Sequence, residues 1–394
     1  MSTAVEIPFH RAAIGQDEID AVTAVLRSGW LTTGPKALEF EREFARYVGC
    51  QYAISVNSCT AALQLALDAI GLKPGDEVLL PTYTFAATGE VVTYFGARPV
   101  LCDSVCGGFN VDAADMERRI TEKTRAVIAV HIAGDPCDLN AIHQIAQRRH
   151  LHVIEDAAHA LPASYCGRRV GSISELTAFS FYATKTITTG EGGMLATDNE
   201  LYATRARNMR LHGISGDAWK RYSKEGQWYY QIVAPGYKLN LTDLAASIGL
   251  VQLAKADSLW KRRSEIAKRY LEAFSDMEEL EMPPVSADTI HAWHLFILRI
   301  RPEKLAITRK DFIGRLKAAG IGTSVHFIPL HLHPFYAATY SYQPGAFPNA
   351  EDSYSRCMSL PLFPGMTEAE VEYVVSRVRS TVQCHSQRAQ LVAA

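Results

Sequence analysis

Leu151-His152-Val153-Ile154-Glu155-Asp156-Ala157-Ala158-His159 reads as a short apolar strand that runs straight into two carboxylates. Ligands of open parallel sheets sit beyond the carboxyl ends of the strands, so an acidic pair at that position is placed for chemistry. The strand is one of a series. Upstream, the apolar run Ala126–Val130 ends at His131 and Gly134, and Glu77–Leu80 reads as another buried strand. Pro35–Val48, Thr60–Ile70 and Asn140–Arg149 carry apolar residues at helical spacing. This alternation, from about residue 37 to 200, predicts an α/β fold: a mostly parallel sheet with helices on both faces.

Beyond Thr242 the texture changes. Leu244–Phe274 reads as a long helix with a break, rich in Lys, Arg, Glu and Ala. A strand-like Trp293–Ile300 follows, then a helix Arg309–Ala319 that Gly320 terminates. The expected division is a large domain with an amino-terminal arm (1–254), a smaller α+β domain (255–385) and a tail (386–394). The chain of 394 residues is 48% hydrophobic and 21% charged with a net charge of −2, so no basic domain points to a nucleic-acid partner. Lys261-Arg262-Arg263 reads as the solvated face of a helix. Apolar runs break within about ten residues, short of the roughly twenty that cross a bilayer. Met1–Glu6 lacks the basic-then-apolar pattern of a secretory signal. The eight cysteines are scattered without a Cys-x-x-Cys pair, which predicts free thiols and a cytoplasmic protein.

Four local features converge on one cofactor. In Asn57-Ser58-Cys59-Thr60-Ala61-Ala62-Leu63, hydroxyl residues open an alanine-rich helix, whose free amides and positive dipole end attract a phosphate. An ordinary helix cap has the same appearance. Asp156 can keep a pyridine nitrogen protonated, and His159 lies three residues on. Ser180-Phe181-Tyr182-Ala183-Thr184-Lys185-Thr186-Ile187-Thr188-Thr189-Gly190-Glu191-Gly192-Gly193 sets a lysine among apolar residues, hydroxyls and glycines. Such a lysine suits a Schiff base, since partial burial favours its neutral amine; a buried salt-bridge lysine is the plainer account. Ser180 offers a phosphate ligand. In Pro81-Thr82-Tyr83-Thr84-Phe85, Phe85 follows a strand and can stack on an aromatic ring or pack in the core. The order of phosphate loop, aromatic, ring carboxylate and lysine is what pyridoxal 5′-phosphate (PLP) requires.

With these segments, Ser28-Gly29-Trp30-Leu31-Thr32-Thr33-Gly34-Pro35 and Gly236-Tyr237-Lys238-Leu239-Asn240-Leu241-Thr242-Asp243 complete a pattern. The chain resembles the DegT/DnrJ/EryC1/StrS sugar aminotransferases, over about residues 8 to 380. Gly236–Asp243, His291–Phe296 and Gly320–Phe327 resemble most the branch that makes UDP-4-amino-4-deoxy-L-arabinose. The resemblance implies the fold-type-I, aspartate-aminotransferase-like architecture, with a large mixed-sheet cofactor domain and a smaller α+β carboxyl-terminal domain. It implies Lys185 as the PLP-bearing catalytic residue, with pyridoxamine 5′-phosphate as the alternate cofactor form. Asp156 would meet the ring nitrogen, His159 the ring hydroxyl side, and Phe85 the ring face, where relatives often carry Trp. Ser58, Cys59, Thr60 and Ser180 would hold the phosphate, joined by Asn240 from a second subunit of a homodimer. Thr32 and His326 would face the substrate, a nucleotide-linked ketosugar aminated at the expense of L-glutamate.

C4 of a UDP-linked sugar is the expected acceptor position; dTDP- or GDP-linked 3- or 4-ketosugars and a cyclitol ketone are the alternatives. A PLP ketosugar dehydratase of the same fold would carry histidine in place of Lys185. A non-catalytic PLP-binding regulator would show a damaged site or a fused basic domain. His326, His331 and His333 form a His-x4-His-x-His pattern with no carboxylate or cysteine nearby in sequence, so no metal is expected. Residues that choose the sugar are sought in 212–235 and 326–345, including the aromatic stretch Gln227-Trp228-Tyr229-Tyr230-Gln231.

Overall fold

The protein is described by a computed structural model that covers residues 6–215 and 229–386. Gln227, Trp228 and the tail from 387 onward lie outside the described residues. Thirteen strands are described, the first seven being β1 (Tyr52–Val56), β2 (Glu77–Pro81), β3 (Arg98–Cys102), β4 (Thr124–Val130), β5 (His152–Asp156), β6 (Ser164–Tyr165) and β7 (Arg168–Arg169). The others are β8 (Leu176–Ser180), β9 (Gly193–Thr197), β10 (Leu280–Glu281), β11 (Thr289–Ile290), β12 (Phe296–Ile300) and β13 (Cys357–Leu360).

Seven strands form one sheet in the order β1-β9-β8-β5-β4-β2-β3. β3, β2, β4, β5 and β8 pair in parallel, while β9 runs antiparallel to both β8 and β1. The central strands are buried along nearly their whole length, as a sheet covered on both faces requires. One face packs the helix Cys59–Ala69, through Leu63, Ala66 and Leu67, against Val78, Ile128 and Ile154. The other face carries Phe40, Phe44, Phe179 and Phe181 in edge contacts.

The helix expected with a break is a continuous 32-residue element, Asp243–Phe274, capped by the Thr242 hydroxyl. Gly249 sits within it because a Cβ there would meet the Phe40 ring at 2.7 Å. This helix runs on to a second apolar cluster, where β10, β12 and β13 form an antiparallel sheet packed with Tyr270, Phe274, Phe312 and Val374. The amino-terminal segment also reaches that cluster: Gly322 donates to the Ile7 carbonyl and Ile7 to that of Gly320, both at 2.8 Å. Trp293, expected within a strand, has φ of 51° and precedes β12.

A third sequence reading is overturned. Arg263 is not on a solvated face; its side chain is 1% exposed. It shares the helix face of Ile266, Ala267 and Tyr270, three, four and seven residues on, all of them buried. Charge type alone hid this periodicity.

Candidate active site

Two strand ends, one turn and one helix start meet at a cavity of about 550 Å³. β5 delivers Asp156, β8 delivers Ser180, and the turn between β8 and β9 delivers Lys185, Glu191 and Gly192. Ser58, Cys59 and Thr60 come from the start of the helix Cys59–Ala69, where the Ser58 hydroxyl accepts from the Ala61 amide at 3.0 Å. The first amides of a helix have no partner within it and face outward as anion donors. Phe85, His159 and His326 complete the wall from the expected set.

The close approach of these segments depends on Gly193. A Cβ on it would lie 2.5 Å from the Ser58 carbonyl carbon and 2.7 Å from the Cys59 amide nitrogen. Both are backbone atoms that cannot swing aside. Gly193→Ala is therefore expected to push the helix start off β9, with a stability loss of about 1–3 kcal/mol and much weaker PLP retention. Thermal unfolding and cofactor titration measure the two effects.

Asp156 is buried, and its carboxylate accepts from Thr88 Oγ1 at 2.8 Å and from the Ala158 amide at 3.1 Å. Thr88 is in turn 2.8 Å from the Thr84 hydroxyl. Desolvation raises the Asp156 carboxyl above its ordinary range, against the hydrogen bonds from Thr88 and Ala158. Behind it, His131 Nε2 donates to Glu155 at 2.8 Å while its Nδ1 accepts from the Cys137 amide at 3.1 Å. Desolvation would raise Glu155 as well, but the hydrogen bonds from His131 and Ser174 outweigh it and keep that carboxylate charged.

His159 Nδ1 accepts from the Ala133 amide at 3.2 Å, which leaves Nε2 as the protonated nitrogen. Its ring stacks on Phe327 at 5.7 Å and tilts against His294 at 4.4 Å. Desolvation, with Lys185 nearby, holds its pKa well below the usual value. Phe85 is 61% exposed at the rim, 5.9 Å from Phe327.

Lys185 sits in a turn knitted by its own neighbours: its amide donates to the Tyr182 carbonyl at 3.0 Å and Gly190 donates to Thr188 Oγ1 at 2.9 Å. Gly190 takes φ of 81°, a left-handed conformation glycine adopts without strain. Desolvation lowers the Lys185 amine to about 8, with the Asp156 charge opposing the shift. The rate at which PLP attaches to the cofactor-free chain is therefore expected to climb as pH rises towards about 8 and to level off above it. A half-maximal pH near the ordinary lysine value would contradict this; stopped-flow absorbance decides.

These residues fit PLP. Asp156 is a buried carboxylate whose burial a ring cation would offset, the helix start could accept a phosphate, and Lys185 offers an amine on the same cavity. When bound, PLP supplies the electron sink that makes an amino-acid Cα–H acidic.

Thr32 and Asn240 do not line the cavity of their own chain. Asn240 Nδ2 donates to Thr33 Oγ1 at 2.7 Å, and the Thr32 carbonyl accepts from the Asp243 amide at 3.1 Å. Thr88, Thr184, His294 and Phe327 line the cavity without having been singled out from sequence. His294 and Phe327 lie within the stretches His291–Phe296 and Gly320–Phe327 that carry the resemblance, whereas Thr88, in the helix Ala86–Thr93, left no local signal. His331 is not free for a metal: it contacts Thr82 Oγ1 at 2.7 Å and Glu351 at 2.9 Å. Among the described residues no group of three or more His, Cys, Asp or Glu is arranged to hold an ion.

Known proteins resemble the chain over nearly their full length. The chain is 48% identical over 378 residues to the spore coat polysaccharide biosynthesis protein SpsC of Bacillus subtilis, covering 96% of this chain and 97% of SpsC. It is 53% identical over 376 residues to the uncharacterized protein MJ1066 of Methanocaldococcus jannaschii, covering 95% and 97%. Among solved structures, Spr1654 of Streptococcus pneumoniae, provisionally assigned as a sugar aminotransferase, superposes in its PMP form with a TM-score of 0.90 at 34% identity, covering 96% of this chain and all of Spr1654. DesV of S. venezuelae matches with a TM-score of 0.85 at 35% identity, covering 93% and 95%. The DegT/DnrJ/EryC1/StrS aminotransferase family profile matches residues 12–379, and the chain belongs to that family as a PLP-dependent sugar aminotransferase.

Proposed function

We propose that the protein transfers the amine of L-glutamate to the ketone of a nucleotide-linked sugar, at C4 of a UDP-hexose or UDP-pentose. Glutamate leaves as 2-oxoglutarate and the ketone becomes the amine. The observation that carries the reading is the convergence of Lys185, Asp156 and the Ser58–Thr60 helix start on one cavity. Lys185 binds the cofactor covalently and, once released, moves a proton at the substrate carbon as a neutral amine. Asp156, held by Thr88 and Ala158, keeps a proton on the ring nitrogen. His159 donates from Nε2 on the ring-hydroxyl side, and Phe85 covers the ring face. Ser58, Cys59, Thr60 and Ser180 hold the phosphate, while His326 faces the sugar.

Asn240 and Thr32 lie outside their own cavity, and we assign them to the cavity of a second copy in a homodimer. The exposed Leu31, Ile232 and Val233 on the same segments support an interface there. The role in its name of the Bacillus relative, spore coat polysaccharide biosynthesis, supports an amino sugar destined for a surface glycan. All eight cysteines are free thiols, which supports a cytoplasmic site of action. No described helix is long and apolar enough to cross a membrane.

The test is spectroscopic. PLP-loaded protein given L-glutamate alone should lose the absorbance of lysine-bound cofactor. A UDP-4-ketosugar should restore it, with the aminated product seen by mass spectrometry. No response to any amino acid would overturn the transfer itself. A response reversed only by dTDP- or GDP-linked sugars would overturn the UDP assignment alone.

A further inference from the structure

A second cavity of about 220 Å³ opens off the first, lined by Phe9, His10, Tyr182, Thr184, His294, Leu295, Ser324, His326, Leu360 and Leu362. Tyr182, Thr184, His294 and His326 line both, so the annex adjoins the lysine turn. Its polar wall is built and incompletely used. His294 is 6% exposed, and its Nδ1 is buried without a hydrogen-bond partner among the described residues. His10 donates from Nε2 to the Ala183 carbonyl at 3.0 Å, and His326 Nδ1 lies 2.9 Å from the Ser359 hydroxyl. Ser324 and Thr184 add hydroxyls.

Behind this wall lies the buried Arg263. One of its nitrogens donates to the carbonyls of Trp293, His294 and Leu362, while Nε and Nη2 have no partner among the described residues. A guanidinium met by carbonyls rather than by a carboxylate keeps its charge largely uncompensated, and its field projects into the annex. After desolvation, that field is the next influence holding His10 down at about 4. Arg263 itself is lowered to about 10 by desolvation, so it stays cationic at neutral pH.

Resting on the aminotransferase reading, we propose that this annex is the subsite for the α-carboxylate of the amino donor, with His294 and Ser324 as its polar contacts and Arg263 as the cation behind them. The α-carboxylate lies one bond, about 1.5 Å, from the carbon that carries the reacting amine. A subsite for it must therefore adjoin the lysine, and Thr184 places the annex there. The cofactor phosphate is provided for elsewhere, at the helix start.

The experiment compares Ser324→Ala and His294→Phe with the parent, all PLP-loaded. Glutarate, a dicarboxylate with no amine to transfer, serves as the calorimetric probe. Loss of one hydrogen bond to a carboxylate predicts about tenfold weaker glutarate binding in each variant. The apparent dissociation constant of L-glutamate in the first half-reaction should rise in parallel, with the saturating rate within about threefold of the parent. Reaction of the aminated form with the ketosugar should be unchanged. Unaltered glutarate and glutamate affinity in both variants would overturn the subsite, and so would equal losses in the two half-reactions. If the parent converts with no amino acid, the aminotransferase reading falls, and the subsite with it. If the parent converts normally while the variants bind glutarate as it does, only the subsite falls.

Discussion

Lys185→Ala is expected to lower turnover by at least about 10⁴-fold, the upper range for loss of a positioned acid–base group, with covalent anchoring lost besides. Its amine lines the cavity, is lowered to about 8 by desolvation and so is substantially neutral there, and sits in a turn held by its own hydrogen bonds. Folding should not suffer, since the substitution removes an amine whose charged form desolvation disfavours. The measurements are turnover with a thermal melt as control, and the absorbance of lysine-bound cofactor, which should vanish. Added small amines should restore part of the rate, because a soluble base can enter where the side chain is missing. A variant within tenfold of the parent would remove Lys185 from the chemistry. The same variant tests the shared site. If Asn240 serves a second copy, mixing Lys185→Ala chains with inactive Asn240→Ala chains rebuilds one intact cavity in each mixed dimer, about a quarter of all cavities in a random mixture. Activity that stays at the sum of the two variants would place Asn240 with its own chain.

The fold was legible because its buried strands announce themselves. Ala126–Val130 and Val153–Ile154 have no polar residue to spare, and parallel strands with both faces covered read as continuous apolar runs. The position of the cavity was legible for the same reason: it opens where the apolar runs stop, as at Asp156 and Ser180. What stayed hidden was tertiary. Thr88 reaches the cavity from a segment with no marking of its own, and the arginine of Lys261-Arg262-Arg263 that is buried differs from its neighbours only by helical phase. Glu351 meets His331 across twenty residues of chain, a partnership no local spacing predicts. The long helix was read with a break, and the packing of Gly249 on Phe40 shows why a glycine there need not make one.

Asp156→Asn is expected to lower turnover by about 100-fold to 1,000-fold while PLP stays bound. A carboxylate beside a ring cation favours the protonated nitrogen by about one to three pKa units, and each unit lost is a tenfold smaller protonated fraction near neutral pH. Asparagine keeps the shape: its Oδ1 can accept from the Ala158 amide while its Nδ2 donates to Thr88 Oγ1, whose hydroxyl can turn to Thr84, so the loss reports mainly the charge. Lys185 and the helix start are untouched, which is why cofactor content should hold. Thr88→Val leaves the charge but removes one of its anchors, and about a tenfold loss is expected from one hydrogen bond to a carboxylate. A PLP analogue methylated at the ring nitrogen carries a permanent positive charge and makes the carboxylate's service unnecessary. It should narrow the gap between Asp156→Asn and the parent without helping Lys185→Ala. If Asp156→Asn turns over within threefold of the parent, Asp156 is only the structural end of its strand, and the protonated ring owes nothing to it.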